Sequence, residues 1–218
     1  MEAPFHELWS SSGHADLGAT AFSYWNVQGT IPTACAKCHS GAGFRDFLGV
    51  DGTAAGSVEN AAPVGVPVNC VACHNAATIG KTTVAFPSGA VVSGLGAESR
   101  CMECHQGRES KTSVDAAIGQ TPDDEVPETA LSFRNIHYMA AGAVQYGTQA
   151  KGGYEYAGQA YDGKFRHVAG LDTCVSCHDP HTLELDLGRC ASCHGSEEPR
   201  TYRMAGSLMD YDGDGNIE

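Results

Sequence analysis

Every cysteine of this chain falls in one of five Cys-x-x-Cys-His motifs: Cys35/Cys38/His39, Cys70/Cys73/His74, Cys101/Cys104/His105, Cys174/Cys177/His178 and Cys190/Cys193/His194. Two thiols three residues apart, followed at once by an imidazole, form the attachment pattern of c-type haem. The thiols form thioethers to the porphyrin and the histidine ligates the iron. A structural zinc site would need four ligands drawn from paired motifs, and a His directly after the second Cys is not the usual finger spacing. A thioredoxin-like pair would occur once, beside a βαβ pattern that this chain lacks. The pattern therefore implies five covalent haem c groups.

The chain has ten histidines, and five of them are used by the motifs. The other five, His6, His14, His137, His167 and His181, supply one further imidazole for each iron. The expectation is bis-histidine ligation throughout, since an axial haem position is a strong imidazole sink. Met102, Met139, Met204 and Met209 are the alternative axial ligands. His181 follows His178 by three residues. Axial ligands approach an iron from opposite faces, so His181 is expected on a neighbouring haem.

A chain of 218 residues offers about 44 residues per haem, too few to build an ordinary apolar core around each. The expected fold is a multihaem cytochrome c: mostly irregular coil, with short α-helices and one or two small β-hairpins wrapped around a haem core. Gly, at 27 residues, suits close backbone approach. The whole chain, 1–218, reads as one pentahaem domain. Residues 1–34 form a leader carrying distal ligands, 35–105 the first three motifs, and 106–173 an insert that donates ligands. Residues 174–194 carry the last two motifs, only 16 positions apart and so expected as a tight pair, and 195–218 form an acidic tail.

Within these segments, Ala15 to Asn26 and Ser132 to Tyr146 show helical apolar spacing. Thr82 to Val92, with Pro87-Ser88-Gly89 at its centre, reads as a hairpin, and Lys151 to Lys164 as a second hairpin or irregular loop. Thr121 to Glu128 reads as a solvated acidic loop. In the tail, Asp210, Asp212, Asp214, Asn216 and Glu218 follow the opening of an EF-hand-type loop, making Ca²⁺ a candidate second cofactor.

The formal net charge of −13 argues against nucleic-acid partners and anionic membranes, and favours basic redox partners. No run approaches 18 apolar residues, so no membrane span is expected. The residues after Met1 do not read as a signal peptide. Haem is attached to such motifs outside the cytoplasmic membrane, so the expectation is an exported protein whose export signal has been removed from this numbering. It would be extracellular or at the cell surface, with the periplasm as the alternative.

The lead-in Trp9…Gly13-His14-Ala15-Asp16, Ile31-Pro32 before Cys35-Ala36-Lys37-Cys38-His39-Ser40, Cys101-Met102-Glu103-Cys104-His105-Gln106-Gly107-Arg108, and Cys174…Cys177-His178-Asp179-Pro180-His181 carry a family resemblance. They resemble exported multihaem c-type cytochromes, including those that form extracellular filaments. The resemblance implies low-potential bis-His haems in stacked and T-shaped pairs. It also implies a possible homopolymer in which a distal His, here His6, is donated between subunits. The function expected is electron transfer without catalysis, through a conduit able to polymerise. A monomeric shuttle or redox-complex subunit is the alternative, and an oxyanion reductase, which needs an open iron face, a remoter one.

Overall fold

The computed structural model describes residues 4–119, 131–164, 166–202 and 215. Its secondary structure is short and sparse. The helices are α1 (His6–Ser10), α2 (Thr20–Ser23), α3 (Thr33–His39), α4 (Gly41–Phe47), α5 (Cys70–Cys73), α6 (Ala76–Ile79), α7 (Glu98–Met102), α8 (Lys111–Ile118), α9 (Ala141–Tyr146), α10 (Cys174–Cys177) and α11 (Leu187–His194). Two antiparallel pairs complete it: β1 (Thr30–Ile31) with β2 (Ala62–Pro63), and β3 (Val84–Ala85) with β4 (Val91–Val92). This matches the coil, short helices and small hairpins expected from the sequence.

Side-chain caps start several of these helices. Ser40 Oγ accepts from the Ala42 and Gly43 amides at the start of α4. Reciprocal capping boxes open α6 (Asn75 with Thr78), α8 (Ser110 with Ser113) and α10 (Thr173 with Ser176). Helices of four to eight residues are not stable alone, so caps and tertiary packing must hold them. Gly43 allows α4 to press onto α3, since a Cβ there would lie 2.4 Å from the Ala36 carbonyl oxygen.

Two small apolar clusters form the described polypeptide core. The larger joins the β3–β4 hairpin (Val84, Phe86, Val92) to Leu95, Met102 of α7, Ala143 and Tyr146 of α9, and Ala150. The smaller comprises Ile31, Ala36 and Ala62. Met102 is thus used in packing, 1 % exposed, rather than offered as an axial ligand.

Both expected long helices are much shorter. Of Ala15 to Asn26, only Thr20–Ser23 is helical, because Asp16 Oδ1 accepts from the Gly18 and Ala19 amides and turns the chain first. Of Ser132 to Tyr146, only Ala141–Tyr146 is helical. Asn135 Oδ1 accepts from the His137 amide, the Ile136 carbonyl accepts from the Arg108 amide, and His137 and Met139 have φ of 82° and 55°. Those torsions cannot belong to a right-handed helix. Of the apolar residues in the second stretch, Ala140, Ala143 and Tyr146 are buried while Met139 and Val144 are exposed, so the local polar side chain overrode the helical period. The Thr82 to Val92 hairpin is present, with Gly89 at its turn (φ 84°), whereas described residues of 151–164 form turns without a strand. The acidic loop 121–128 lies outside the described residues.

Candidate haem-binding site

Each motif lies on or at the end of a short helical turn, so its cysteines at i and i+3 and its histidine at i+4 come to one side. All ten cysteines are free thiols. Seven are partly buried, but Cys70, Cys177 and Cys193, expected as haem tethers, are exposed. Cys193 stands one residue from the end of α11, its sulfur 3.8 Å from the adjacent Ser192 hydroxyl. An exposed thiol remains open to a porphyrin edge. Among the described residues no group of three or more His, Cys, Asp or Glu is placed to hold a metal ion.

The structure brings the rings of four motif histidines close to those of four of the other histidines. Ring centroids lie 5.8 Å apart for His39 and His137, 6.2 Å for His74 and His181, 6.3 Å for His105 and His14, and 5.9 Å for His194 and His167. Two metal–imidazole bonds of about 2 Å each, with the half-width of each ring, sum to about 6 Å. The four centroid separations match that sum. The ring planes differ: 82° for His39/His137, 6° for His74/His181, and 28° and 29° for the other two.

His6 and His178 lie outside these four pairs. His6 is exposed on α1, its ring 5.8 Å from that of Trp9. Trp9 Nε1 donates to the Val68 carbonyl at 2.9 Å, which fastens α1 beside the second motif. Phe5, just before His6, stacks on His181 at 4.5 Å and 5°.

The other ring nitrogen of three motif histidines is bonded to backbone. His39 Nδ1 donates to Ala21 O at 2.8 Å, His105 Nδ1 to Met139 O at 3.0 Å, and His178 Nδ1 to Leu183 O at 2.8 Å. Such a bond fixes the tautomer and turns Nε2 toward a metal. It also explains the three-residue spacing of His178 and His181. The chain after His181 folds back to the Nδ1 side of His178, opposite the side that would face an iron. Burial, then the nearby His105, holds the pKa of His14 down at about 4, and burial chiefly lowers that of His39. Both shifts favour the neutral imidazole, the form that binds metal.

The motifs also touch one another. Lys37 and Glu103, the residues before the second cysteine of motifs 1 and 3, form a 2.8 Å ion pair, and Lys81 adds a second at 2.7 Å. Cys104 Sγ lies 3.6 Å from the Lys37 carbonyl, and Cys38 Sγ 3.9 Å from that of Glu103. Between motifs 3 and 4, buried Glu98 accepts from Tyr146 Oη at 3.0 Å and from the Cys174 amide at 3.2 Å, with Lys164 Nζ at 3.6 Å. The Arg100 guanidinium bonds the Cys73 carbonyl at 2.9 Å, joining motif 3 to motif 2, and Arg189 reaches the Ser176 carbonyl at 3.4 Å, joining motif 5 to motif 4. Sequence reading did not single out these residues. Opposite charges at equivalent motif positions were a weak signal for the first contact, and nothing local marked the others.

Among the alternative ligands, Met139 offers its carbonyl to His105 while its side chain is exposed; Met204 and Met209 lie outside the described residues. So do Asp210, Asp212, Asp214, Asn216 and Glu218 of the candidate Ca²⁺ loop. No described helix is long and apolar enough to cross a membrane.

No family model and no solved structure matches the chain. It is 28% identical over 219 residues to the C-type polyheme cytochrome OmcB of Geobacter sulfurreducens, an alignment covering 82% of this chain and 26% of that protein. It is likewise 28% identical over 225 residues to the C-type polyheme cytochrome OmcC of the same species, covering 84% and 26%. The chain thus spans about a quarter of the length of these curated relatives. This similarity supports haem c as the cofactor and bears out the resemblance of the chain to the multihaem c-type cytochromes.

Proposed function

We propose that this chain is an electron-transfer protein holding five c-type haems, each closed on both faces by imidazole. The observation carrying it is the four histidine pairs with ring separations from 5.8 to 6.3 Å. The cysteines would tether the porphyrins, with His39, His74, His105, His178 and His194 as proximal ligands. His137, His181, His14 and His167 would close the first, second, third and fifth irons. Bound haem supplies a one-electron couple. The polypeptide would set two imidazoles at the first, second, third and fifth irons and leave those four no open coordination position for substrate. His6 is the remaining imidazole for the fourth, so no catalysis is assigned. Exposed apolar residues beside the ligands, among them Val71, Tyr138, Met139 and Val175, suit porphyrin faces.

The five-haem reading is tested by intact mass and by spin state. The purified protein should carry five haem additions and show only low-spin iron. Fewer additions, or high-spin iron at any of the four paired motifs, would sink it.

The finer reading is an exported conduit, extracellular or at the cell surface, that polymerises with His6 donated to an iron of a neighbouring copy. The exposed His6 on a helix anchored beside motif 2 supports it. Electron microscopy of the native protein tests this: filaments that disappear in His6→Ala support it, and a monodisperse monomer excludes it. A shuttle or a module of a larger redox assembly is the second reading, favoured by the quarter-length match to OmcB and OmcC.

A further inference from the structure

Two stretches far apart in the chain share a local design. In Asn135-Ile136-His137-Tyr138-Met139, Asn135 Oδ1 accepts from the His137 amide at 2.9 Å. In Asp179-Pro180-His181-Thr182-Leu183, Asp179 Oδ1 accepts from the His181 amide at 2.9 Å. Two residues beyond each histidine stands a non-glycine residue in left-handed conformation, Met139 at φ 55° and Leu183 at φ 68°. Only five described non-glycine residues have positive φ, and these two recur at the same place in the two turns. That conformation is unfavourable for a side chain and persists only where surroundings hold it. In both cases the residue's carbonyl receives the Nδ1–H of a motif histidine, His105 at 3.0 Å and His178 at 2.8 Å.

The histidine in each turn faces a different motif from the one its carbonyl serves. His137 faces His39 of motif 1 while Met139 O holds His105 of motif 3. His181 faces His74 of motif 2 while Leu183 O holds His178 of motif 4. The leader completes the exchange for the first couple. His14 faces His105 of motif 3, and Ala21 O receives the Nδ1–H of His39 of motif 1.

We infer that the turns 135–139 and 179–183 are one device used twice, an Asx turn that gives an axial imidazole to one iron and a carbonyl to the proximal imidazole of another. The inference rests on the reading that the ring pairs hold irons. It makes motif 1 the partner of motif 3, and motif 2 of motif 4, rather than pairing motifs by order in the chain. Met139 and Leu183 are positioning residues, acting through His105 and His178. Hydrogen bonding at Nδ1 raises the basicity of a ligating imidazole, so a change in either turn reaches two irons.

The test uses the holoprotein with Met139→Val, Met139→Gly, Leu183→Val and Leu183→Gly. Valine resists left-handed torsions and would swing the carbonyl away, whereas glycine adopts them freely. The motif 3 iron is identified by the low-spin signal that His14→Ala converts to high spin, and the motif 4 iron by the signal that His178→Ala removes. Met139→Val should shift the electron paramagnetic resonance signal and midpoint potential of the motif 3 iron while the His39/His137 iron stays low-spin. Met139→Gly should leave both as in the unaltered protein. Should Met139→Val not fold, His137→Ala serves: a high-spin motif 1 iron together with a shifted motif 3 signal supports the device. A Met139→Val or His137→Ala protein with an unmoved motif 3 signal overturns it, as does a Leu183→Val protein with an unmoved motif 4 signal. High-spin iron at motifs 1 and 2 of the unaltered protein would overturn the underlying ligation reading as well.

Discussion

Lys37 Nζ lies 2.8 Å from Glu103 Oε2, an ion pair whose carboxylate side chain is 3 % exposed. Each residue sits inside its own Cys-x-x-Cys loop, so this contact rivets motif 1 to motif 3 through positions that haem attachment leaves variable. Lys81, 2.7 Å from the other carboxylate oxygen, and Gln106 Nε2 complete the site. Removing one partner of a buried pair typically costs about 3–5 kcal/mol because the remaining charge is left unmatched. Glu103→Gln leaves two lysines facing a neutral amide and should lower holoprotein stability by about 3 kcal/mol in guanidinium titration. Lys37→Met should cost clearly less, since Lys81 still neutralises Glu103. Equal losses in the two variants would show that Lys81 does not share the charge.

Between motifs 3 and 4, Tyr146 Oη donates to buried Glu98 at 3.0 Å. Tyr146→Phe keeps the ring in its apolar cluster and removes only the hydroxyl. A hydrogen bond to a charged group contributes about 1.5–3 kcal/mol, and a loss at the lower end is expected, because Lys164 and the Cys174 amide remain. Thermal unfolding of the holoprotein measures it. An unchanged transition would mean that Lys164 alone satisfies the carboxylate.

The imidazole planes of His39 and His137 are nearly perpendicular at 82°, and those of His74 and His181 nearly parallel at 6°. Perpendicular planes leave the two iron orbitals that mix with the ligands nearly equal in energy, and parallel planes split them. The oxidised protein should therefore show one strongly anisotropic, large-g low-spin signal from the first iron and a rhombic signal from the second. His137→Ala should abolish the large-g signal and spare the rhombic one. Rhombic signals alone would contradict the ring orientations.

Gly107 has φ 83°, and a Cβ there would lie 2.8 Å from Ile136 Cγ1 and 2.9 Å from the Ile136 carbonyl oxygen. The Arg108 amide meets that same carbonyl at 2.9 Å, so the residues after motif 3 bear directly on the turn carrying His137. Gly107→Ala adds both a left-handed torsion and a clash, for a cost of at least about 1–2 kcal/mol. Loss of low-spin character at the first iron should accompany the destabilisation. A folded Gly107→Ala protein with unaltered ligation would show that Ile136 gives way.

The bond from Trp9 Nε1 to Val68 O ties α1 to the approach to the second motif. Trp9→Phe keeps ring packing and removes about 1 kcal/mol of hydrogen bonding. Proteolysis should then cleave faster around His6–Ser10, while the His74/His181 iron keeps its low-spin signal. Unchanged cleavage would assign the anchoring of α1 to Phe5 on His181 instead.

The cofactor class was legible in the sequence, and so were the ten thiols and five imidazoles that the motifs offer as tethers and proximal ligands, because that chemistry demands contiguous residues. A Cys-x-x-Cys-His unit brings its own geometry on a helical turn, so no distant contact is needed to recognise it. The count of spare histidines was legible for the same reason, and so was the shortage of chain for an ordinary core. How deeply each thiol sits was not, since Cys104 packs against motif 1 while Cys193 stays exposed. Nor was which spare histidine meets which motif, because His14, His137, His167 and His181 reach partners from 27 to 107 positions away. The close spacing of the fourth and fifth motifs named only one neighbour of motif 4. Tertiary structure also backs motif 4 with the turn that faces motif 2. The helix expected over Ser132 to Tyr146 failed in the same way, since one Asn135 side chain and a docked carbonyl outweighed periodicity. Sequence determined what this protein binds. Tertiary structure decided how the sites are joined, because that depends on backbone carbonyls and ion pairs whose partners no local pattern names.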